Sequence, residues 1–294
     1  MASINEIKEK MGVVKSVGGF ANAMQQIAAM RMMALRDKVL SSKRFVDEAN
    51  QMLAELNLYK ELFYQKELEN KKDGQKKSET APADDKPLKK AIVVVSSNQG
   101  LCGKFNAEIF RKVESEILAN NLDADFFLIG RKGQEHYLNN KKFHFKFYPY
   151  ELVDTFEASD LLRLVEMFPY YDRIMLVYTR YINTVNRDVV NTILVVPPAK
   201  FNETPDPKEK IKFLFEPTLE ELIKDIEAKL RAATFQQQIL DSRLAQFSAQ
   251  MVGMQAATEN AKTLLSDLTQ DYNKQRRKII DKKISEVFAG SALW

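Results

Sequence analysis

The chain has 294 residues, 45% of them hydrophobic, and 44 Lys and Arg against 40 Asp and Glu give a net charge of +4. This length and apolar content exclude a disordered chain and predict a globular protein. The basic residues are spread along the chain, which argues against a nucleic-acid partner. The single cysteine, Cys102, excludes an internal disulfide and a cysteine-rich zinc site, and no apolar stretch is long enough to span a bilayer.

The first predicted element is a long helix over residues 3–66, which contain no proline. Ser3 followed by Glu6 has the pattern of a capping box at its start. Apolar residues at three- and four-residue spacing then predict one buried stripe, made of Ile4, Ile7, Met11, Val14, Val17, Met24, Ile27, Met32, Leu35 and Val39. Gly18 and Gly19 interrupt this stripe. Because each glycine costs about 1 kcal/mol inside a helix, either another element packs closely there or the helix bends.

Residues 67–88 are rich in Lys, Asp, Glu, Gly, Ser and Pro, a composition typical of an exposed linker. Residues 89–217 then alternate short apolar runs with helical patterns. The predicted strands are 91–95, 126–129, 143–147, 174–178 and 189–196, and the predicted helices are 106–120, 131–139 and 158–167. This alternation predicts a central Rossmann-like α/β domain with a largely parallel sheet, and the closeness of the last two strands predicts an antiparallel pair at one edge.

A second long helix is predicted over residues 218–294, where Thr218 and Glu221 have capping spacing and no proline follows. Its apolar or small residues alternate at three and four, a seam typical of a coiled coil: Leu240, Leu244, Phe247, Met251, Met254, Thr258, Ala261, Leu265, Leu268 and Tyr272. The same spacing continues through Gln275 to Ile279. We therefore predict an α/β protein with long helices, in which the N- and C-terminal helices form an antiparallel coiled coil. Burial of the two stripes against each other, with no further role, is the alternative that periodicity leaves open.

The loop after the first strand, residues 96–105, contains two glycines and ends near Gly-Lys, like a phosphate-binding loop. Asn98 stands where such a loop needs glycine, and Phe105 stands where it needs a metal-binding hydroxyl. A tight structural turn is therefore the favoured interpretation. The two histidines, His136 and His144, lack the spacing of a metal pair on a helix, and no catalytic residue, cofactor site or metal site is predicted.

Three segments, in order, resemble the gamma subunit of F1-type ATPases. They are KSV with AMQQIAA at 15–17 and 23–29, VSSNQGLCGKFN at 95–106, and AQMVGMQAATENA at 249–261 with its continuation over 272–290. The family-motif turn within the second segment contains Ser97, Gly100, Leu101, Cys102 and Gly103. The third segment keeps Asn273 and Arg276 of the family pattern but has Arg277 and Asp281 in place of Gln and Thr.

The resemblance implies a non-catalytic shaft, one copy per complex, that turns inside a hexamer of alpha/beta-type subunits. Its α/β domain would meet an epsilon-like small subunit and a c-ring or other mechanical load. No cofactor is implied. The complex would be cytoplasmic and peripheral, on the inner face of the cell membrane. The shaft residues implied to face the hexamer are Met24, Ile27, Arg31, Asn273, Arg276 and Arg277.

Two further hypotheses remain open at this stage. One is a shaft of an F1-like ATPase that drives another mechanical load without an ion channel. The other is a small nucleotide-binding α/β enzyme with a coiled-coil arm.

The basic cluster around Arg276 is either a contact for carboxylates of the hexamer or a solvated helix face.

Overall fold

The computed structural model describes residues 3–70, 89–118, 123–139, 145–153, 158–166, 168–171, 173–194 and 218–291. The chain divides into two compact units. The first, here called the coil unit, contains residues 1–33, 101–103 and 247–294, and the second, the sheet unit, contains residues 34–100 and 104–246. Two long helices, α1 (Ile4–Asn70) and α5 (Leu219–Ser291), contribute residues to both units.

Side-chain caps start both long helices, as the sequence predicts. The Ser3 N–H donates to Glu6 Oε2 at 3.1 Å, and the Glu6 N–H donates to Ser3 Oγ at 3.2 Å, which completes the capping box of α1. The Glu221 N–H donates to Thr218 Oγ1 at 3.3 Å at the start of α5. Helix α1 continues to Asn70, four residues beyond its predicted end, through residues with good helix propensity.

In the coil unit, α1 and α5 run antiparallel, as predicted. Gly18 of α1 lies beside Ala261 of α5, and further along α1 the Arg31 guanidinium lies 5.6 Å from the ring centroid of Phe247. The predicted α5 seam is buried or half-buried from Phe247 to Gln275, whereas Ile279 is exposed.

The predicted stripe on α1 is wrong at two positions, because Val17 is 55% exposed and Ile27 is 42% exposed. Most of the buried or half-buried positions of α1 in this unit follow a regular four-three spacing: Ile7, Met11, Val14, Gly18, Ala21, Gln25, Ala28 and Met32. Small residues therefore form much of the true seam. A Cβ placed on Gly18 would lie 3.1 Å from the Cβ of Ala261, so close packing is the reason for this glycine.

The sheet unit contains a five-stranded sheet in the order β3-β2-β1-β4-β5. The strands are β1 (Lys90–Val95), β2 (Asp125–Ile129), β3 (Phe147–Tyr150), β4 (Arg173–Tyr181) and β5 (Arg187–Ile193). Strands β1 to β4 pair in parallel, and β5 pairs antiparallel with β4, which confirms the predicted edge. The central strand β1 is buried from Ala91 to Val95, as expected for a strand covered on both faces.

Three shorter helices connect the strands: α2 (Phe105–Lys112), α3 (Arg131–Leu138) and α4 (Ala158–Val165). The predicted helix over 106–120 is α-helical only as far as Lys112, and Val113–Leu118 is a π-helical segment. The predicted strand over 143–147 is also wrong: strand β3 begins at Phe147, and residues 143–144 lie outside the described residues. Phe145 instead packs its ring edge against Phe126 of β2.

The same unit holds a second apolar core between its parts of the two long helices. Val46, Leu53 and Leu56 of α1 pack with Ile223 and Leu230 of α5. Apolar pairing of α1 with α5 is therefore present in the sheet unit as well as in the coil unit.

Candidate functional site

The carboxyl end of β1 is organised by a buried serine. The Ser96 hydroxyl contacts the carbonyl oxygens of Ile129 and Gly130 at 2.9 and 3.1 Å, and it accepts the Gly133 N–H at 2.9 Å. Gly130 has φ +97°, and a Cβ there would lie 2.2 Å from the Ser96 carbonyl oxygen. The Gly-Arg-Lys-Gly turn after β2 is thus fitted closely onto Ser96, which ties β1, β2 and α3 together.

The next residues form a closed polar turn. The Ser97 N–H donates to Asn106 Oδ1 at 3.1 Å, and Asn106 Nδ2 donates to Ser97 Oγ at 2.7 Å. The Ser97 hydroxyl donates onward to the Gln99 carbonyl at 2.6 Å. Asn98 Nδ2 donates to the Leu152 carbonyl at 2.7 Å. These side chains hold the loop itself together, which supports the structural interpretation of this motif over phosphate binding.

Leu101–Gly103, the part of the family-motif turn that belongs to the coil unit, packs against the backbone of α5. Leu101 and Gly103 have φ of 65° and 56°, a left-handed conformation that is uncommon outside glycine, and Cys102 is buried. On α5, a Cβ at Gly253 would lie 3.7 Å from Gly103 N and 3.9 Å from the Leu101 carbonyl oxygen. A side chain at this position would thus be in ordinary van der Waals contact with the turn, which lies directly against α5 there. Ser97 and Gly100 of the same motif belong to the sheet unit, where Ser97 is buried and Gly100 is half-buried.

The α5 segment from Gln238 to Gln246 has nine consecutive buried residues, including charged ones. Arg243 is only 1% exposed, and Asp241 is 8% exposed. Burial raises the pKa of Asp241 to about 6, while the Tyr181 N–H and the charges of Lys43 and Arg180 act in the opposite direction. Sequence reasoning missed both residues. No local signal marked them, because an Asp and an Arg beside the seam positions Leu240 and Leu244 have the composition of an exposed helix face.

His136 contacts an acidic side chain and an aromatic ring. Its Nε2 lies 2.7 Å from Glu114 Oε1 in the π-helical segment, and its ring stacks on Phe110 at a centroid distance of 4.2 Å. The other histidine, His144, lies outside the described residues. Within the described part of the chain, no group of three or more His, Cys, Asp or Glu side chains is placed to hold a metal ion.

The residues predicted to face a hexamer all belong to the coil unit. Met24 and Asn273 are half-buried, and the exposed members of the set are Ile27, Arg31, Arg276 and Arg277. Arg31 also has the cation–π contact with Phe247 described above. The structure thus places four of the six side chains at the surface and two at the margin of the seam.

The coil unit exposes many large apolar side chains outside its seam. On α1 a second stripe at four-three spacing runs through Val13, Val17, Phe20, Met24 and Ile27, of which all but Met24 are exposed. Near its end, α5 exposes Ile279, Ile280, Ile284, Val287 and Phe288. Apolar residues exposed at such regular spacing are typical of a surface that contacts another protein. Among the described helices, none has a stretch apolar enough to cross a membrane.

Comparison with known proteins gives matches over nearly the whole chain. A family model described as ATP synthase matches residues 3–293. A Haemophilus influenzae (strain 86-028NP) ATP synthase gamma chain is 27% identical over 306 aligned residues, with 99% of each chain covered. A Chloroflexus aurantiacus (strain ATCC 29366 / DSM 635 / J-10-fl) ATP synthase gamma chain is 28% identical over 309 residues, again with 99% of each chain covered.

Two solved structures share the fold. A chain from the central stalk and c-ring of Tetrahymena thermophila mitochondrial ATP synthase has a TM-score of 0.55 and 19% identity, covering 81% of this chain and 99% of that one. A chain from the OSCP/F1/c-ring structure of Euglena gracilis mitochondrial ATP synthase has a TM-score of 0.52 and 14% identity, covering 89% and 93%.

Proposed function

The chain belongs to the ATP synthase family, in which its full-length relatives are gamma chains, and we propose that it is the central rotor subunit of an F-type ATP synthase. In this role it transmits torque between a catalytic hexamer and a membrane ring. The observation that carries the proposal is the family match over residues 3–293, which includes both long helices and the sheet.

The coil unit supports a role as a shaft. Its two helices bury a narrow seam of small and apolar residues against each other and leave a second apolar stripe on α1 exposed. A hexamer of alpha/beta-type subunits that encloses this unit would cover Val13, Val17 and Phe20 and the apolar end of α5. Apolar contacts are non-directional, so such a sleeve permits rotation.

The remaining partners follow from the same proposal. One copy of the chain serves each complex, and its α/β domain contacts an epsilon-like small subunit and the c-ring. The chain is non-catalytic, and the nucleotide sites belong to the hexamer. The complex lies on the cytoplasmic, inner face of the cell membrane. The curated relatives are synthase chains, which favours this function over a shaft that drives another load.

Four functional segments are part of the proposal: a shaft helix over 1–66, a linker over 67–88, the α/β domain over 89–217 and a second shaft helix over 218–294. The motif turn at Ser97, Gly100, Leu101, Cys102 and Gly103 serves as a structural element that packs on α5. The shaft residues that contact the hexamer are Met24, Ile27, Arg31, Asn273, Arg276 and Arg277.

Native mass spectrometry of the complex purified through an affinity tag on this chain tests the proposal. We expect one copy of this chain with three copies each of two larger subunits, a small subunit and a ring of c-type subunits. A complex that contains the hexamer without the ring would support the shaft of another mechanical load. Isolation of the chain alone, with nucleotide bound, would support the enzyme hypothesis.

The basic residues of the shaft provide a second test. Arg276 and Arg277 are exposed on α5, and removal of one partner from an interfacial charged pair costs about 2 to 5 kcal/mol. We expect Arg276→Ala with Arg277→Ala to lower the ATPase rate of the assembled complex severalfold. Lys224→Ala with Lys229→Ala, which removes two exposed cations from the sheet-unit part of α5, is the matched control. Equal rates for both variants would show that the cluster is only a solvated face.

A further inference from the structure

Within the sheet unit, α5 carries two buried charged residues on opposite sides of the helix. Asp241 and Arg243 are two positions apart, and at 3.6 residues per turn they project about 200° from each other. Both lie in the segment Gln238–Gln246, which is buried all round. Burial of charged groups is costly unless directional contacts compensate, so the partners of these two side chains define where the helix is held.

Arg243 holds one side of the helix against the carboxyl end of β1. Its Nη1 donates to the Ser96 carbonyl and its Nη2 to the Leu152 carbonyl, both at 3.4 Å. Gln246, one turn further along α5, accepts a 2.8 Å hydrogen bond from Nη1 and fixes the guanidinium plane. Ser96 is the residue that ties β1 to β2 and α3, so this contact joins α5 to the centre of the sheet.

Asp241 holds the opposite side against the end of β4. Its Oδ2 accepts the Tyr181 N–H at 3.3 Å, and the positive charges of Lys43 and Arg180 act on the same carboxylate. Strands β1 and β4 are neighbours in the sheet. The two charged residues therefore reach the carboxyl ends of two adjacent strands from opposite sides of one helix.

An apolar interface resists separation of a helix from its neighbours but resists turning about the helix axis only weakly, because dispersion contacts have no preferred direction. Hydrogen bonds are directional, and two sets on opposite sides resist turning in both senses. We propose that Asp241 and Arg243 form a two-sided key that fixes α5 against rotation relative to the sheet, so that torque passes between the helix and the α/β domain through them. This inference rests on the proposed rotor function.

The test measures torsional stiffness in the assembled complex. The hexamer is fixed to a surface, and a bead is attached to the sheet unit through Val185→Cys, a site that is 68% exposed, while the buried Cys102 stays unlabelled. With rotation stalled by removal of ATP, the variance of the bead angle reports the compliance between the hexamer and the sheet unit. The variant Asp241→Leu with Arg243→Met removes both sides of the key.

We expect the angular variance of this double variant to rise at least twofold over the parent complex. Asp241→Asn keeps the acceptor and Arg243→Lys keeps a donor, so these variants should restore most of the stiffness. The control, Asp225→Asn with Lys229→Met, removes an exposed ion pair from the same helix and should leave the variance unchanged. Where the double variant fails to assemble, Asp241→Leu and Arg243→Met are measured singly, each with an intermediate increase expected.

The outcomes separate a key from ordinary core packing. A lower melting temperature with unchanged angular variance would overturn the proposal, because it would show that these residues stabilise the fold without carrying torque. Failure of the proposed rotor function is a different result, since the parent complex itself would then not rotate when ATP is supplied. A twofold rise in angular variance of the double variant, with normal rotation of the parent complex, supports both the role of Asp241 and Arg243 and the proposed rotor function.

Discussion

Replacing Gly18 tests the close approach of the two helices in the coil unit. A Cβ at Gly18 would lie 3.1 Å from the Cβ of Ala261, nearer than ordinary carbon contacts, whereas a Cβ at the adjacent Gly19 would have no atom of the described residues within 4 Å apart from its own turn of helix. Alanine gains about 1 kcal/mol over glycine in a helix. Gly19→Ala should therefore stabilise the protein by about that amount, and at Gly18 the crowding should cancel the gain.

Substitution with leucine should increase the difference in stability between changes at Gly18 and at Gly19. Overpacking a close-packed interface costs about 1 to 3 kcal/mol, so Gly18→Leu should be destabilising while Gly19→Leu is neutral or slightly stabilising. A gap of about 1 to 3 kcal/mol between the two variants corresponds to roughly 2 to 12 °C in melting temperature for a protein of this size.

Thermal unfolding of the full-length chain, followed by circular dichroism at the helical band, measures this gap. In a double-mutant cycle, Ala261→Gly should show a favourable coupling of about 1 kcal/mol with Gly18→Ala, because it removes the methyl group that the new Cβ meets, while the new glycine by itself costs about 1 kcal/mol in the helix. Equal melting temperatures for Gly18→Leu and Gly19→Leu would refute the close packing of the seam at this point.

Two further predictions concern the sheet unit. Gly130→Ala should destabilise the protein by at least 3 kcal/mol, because φ is +97° and the new Cβ would lie 2.2 Å from the Ser96 carbonyl oxygen; urea unfolding measures this, and a loss under 1 kcal/mol would contradict it. The pKa of Asp241 is raised to about 6 from an ordinary 3.8, so between about pH 4 and 6 the native state binds more protons than the unfolded state. The protein therefore loses stability as the pH rises through that window. Asp241→Asn should remove this loss, so the free energy of unfolding of the variant relative to the parent should be on the order of 2 kcal/mol more favourable at pH 7 than at pH 4. A stability difference between variant and parent that is the same at both pH values would contradict the raised pKa of Asp241.

Local signals predicted much of the fold. The capping residues Ser3 and Thr218 mark where the long helices begin, and the four-three spacing on α5 marks its seam as far as Gln275. The alternation of apolar runs and helical patterns also predicted the parallel sheet and its antiparallel edge. These features depend on residues close in sequence, which is why one chain alone reveals them.

The errors share a physical cause. Val17 and Ile27 are as apolar as true core residues, whereas Gly18, Ala21 and Ala28 bury little side-chain area and give a weak hydrophobic signal. Hydrophobicity therefore could not distinguish the seam from the exposed stripe beside it. The π-helical segment Val113–Leu118 contains Glu114, whose carboxylate contacts His136 from a distant part of the chain, and no local pattern encodes such a contact.

The buried charges of α5 were missed for a related reason. In sequence, Asp241 and Arg243 have the composition of an exposed helix face, and only the fold shows that the sheet covers them. The motif turn shows the opposite case. Its sequence marked a tight turn, and the left-handed conformation of Gly103 explains why a glycine occurs there.

Direct observation of rotation is the most decisive measurement. A bead attached through Val185→Cys in a surface-fixed complex should turn in one direction when ATP is added, with three stops per turn set by the three catalytic subunits of the hexamer, and should stop when ATP is withdrawn. A complex that hydrolyses ATP at its normal rate while the bead stays fixed would contradict the role of this chain as the rotor.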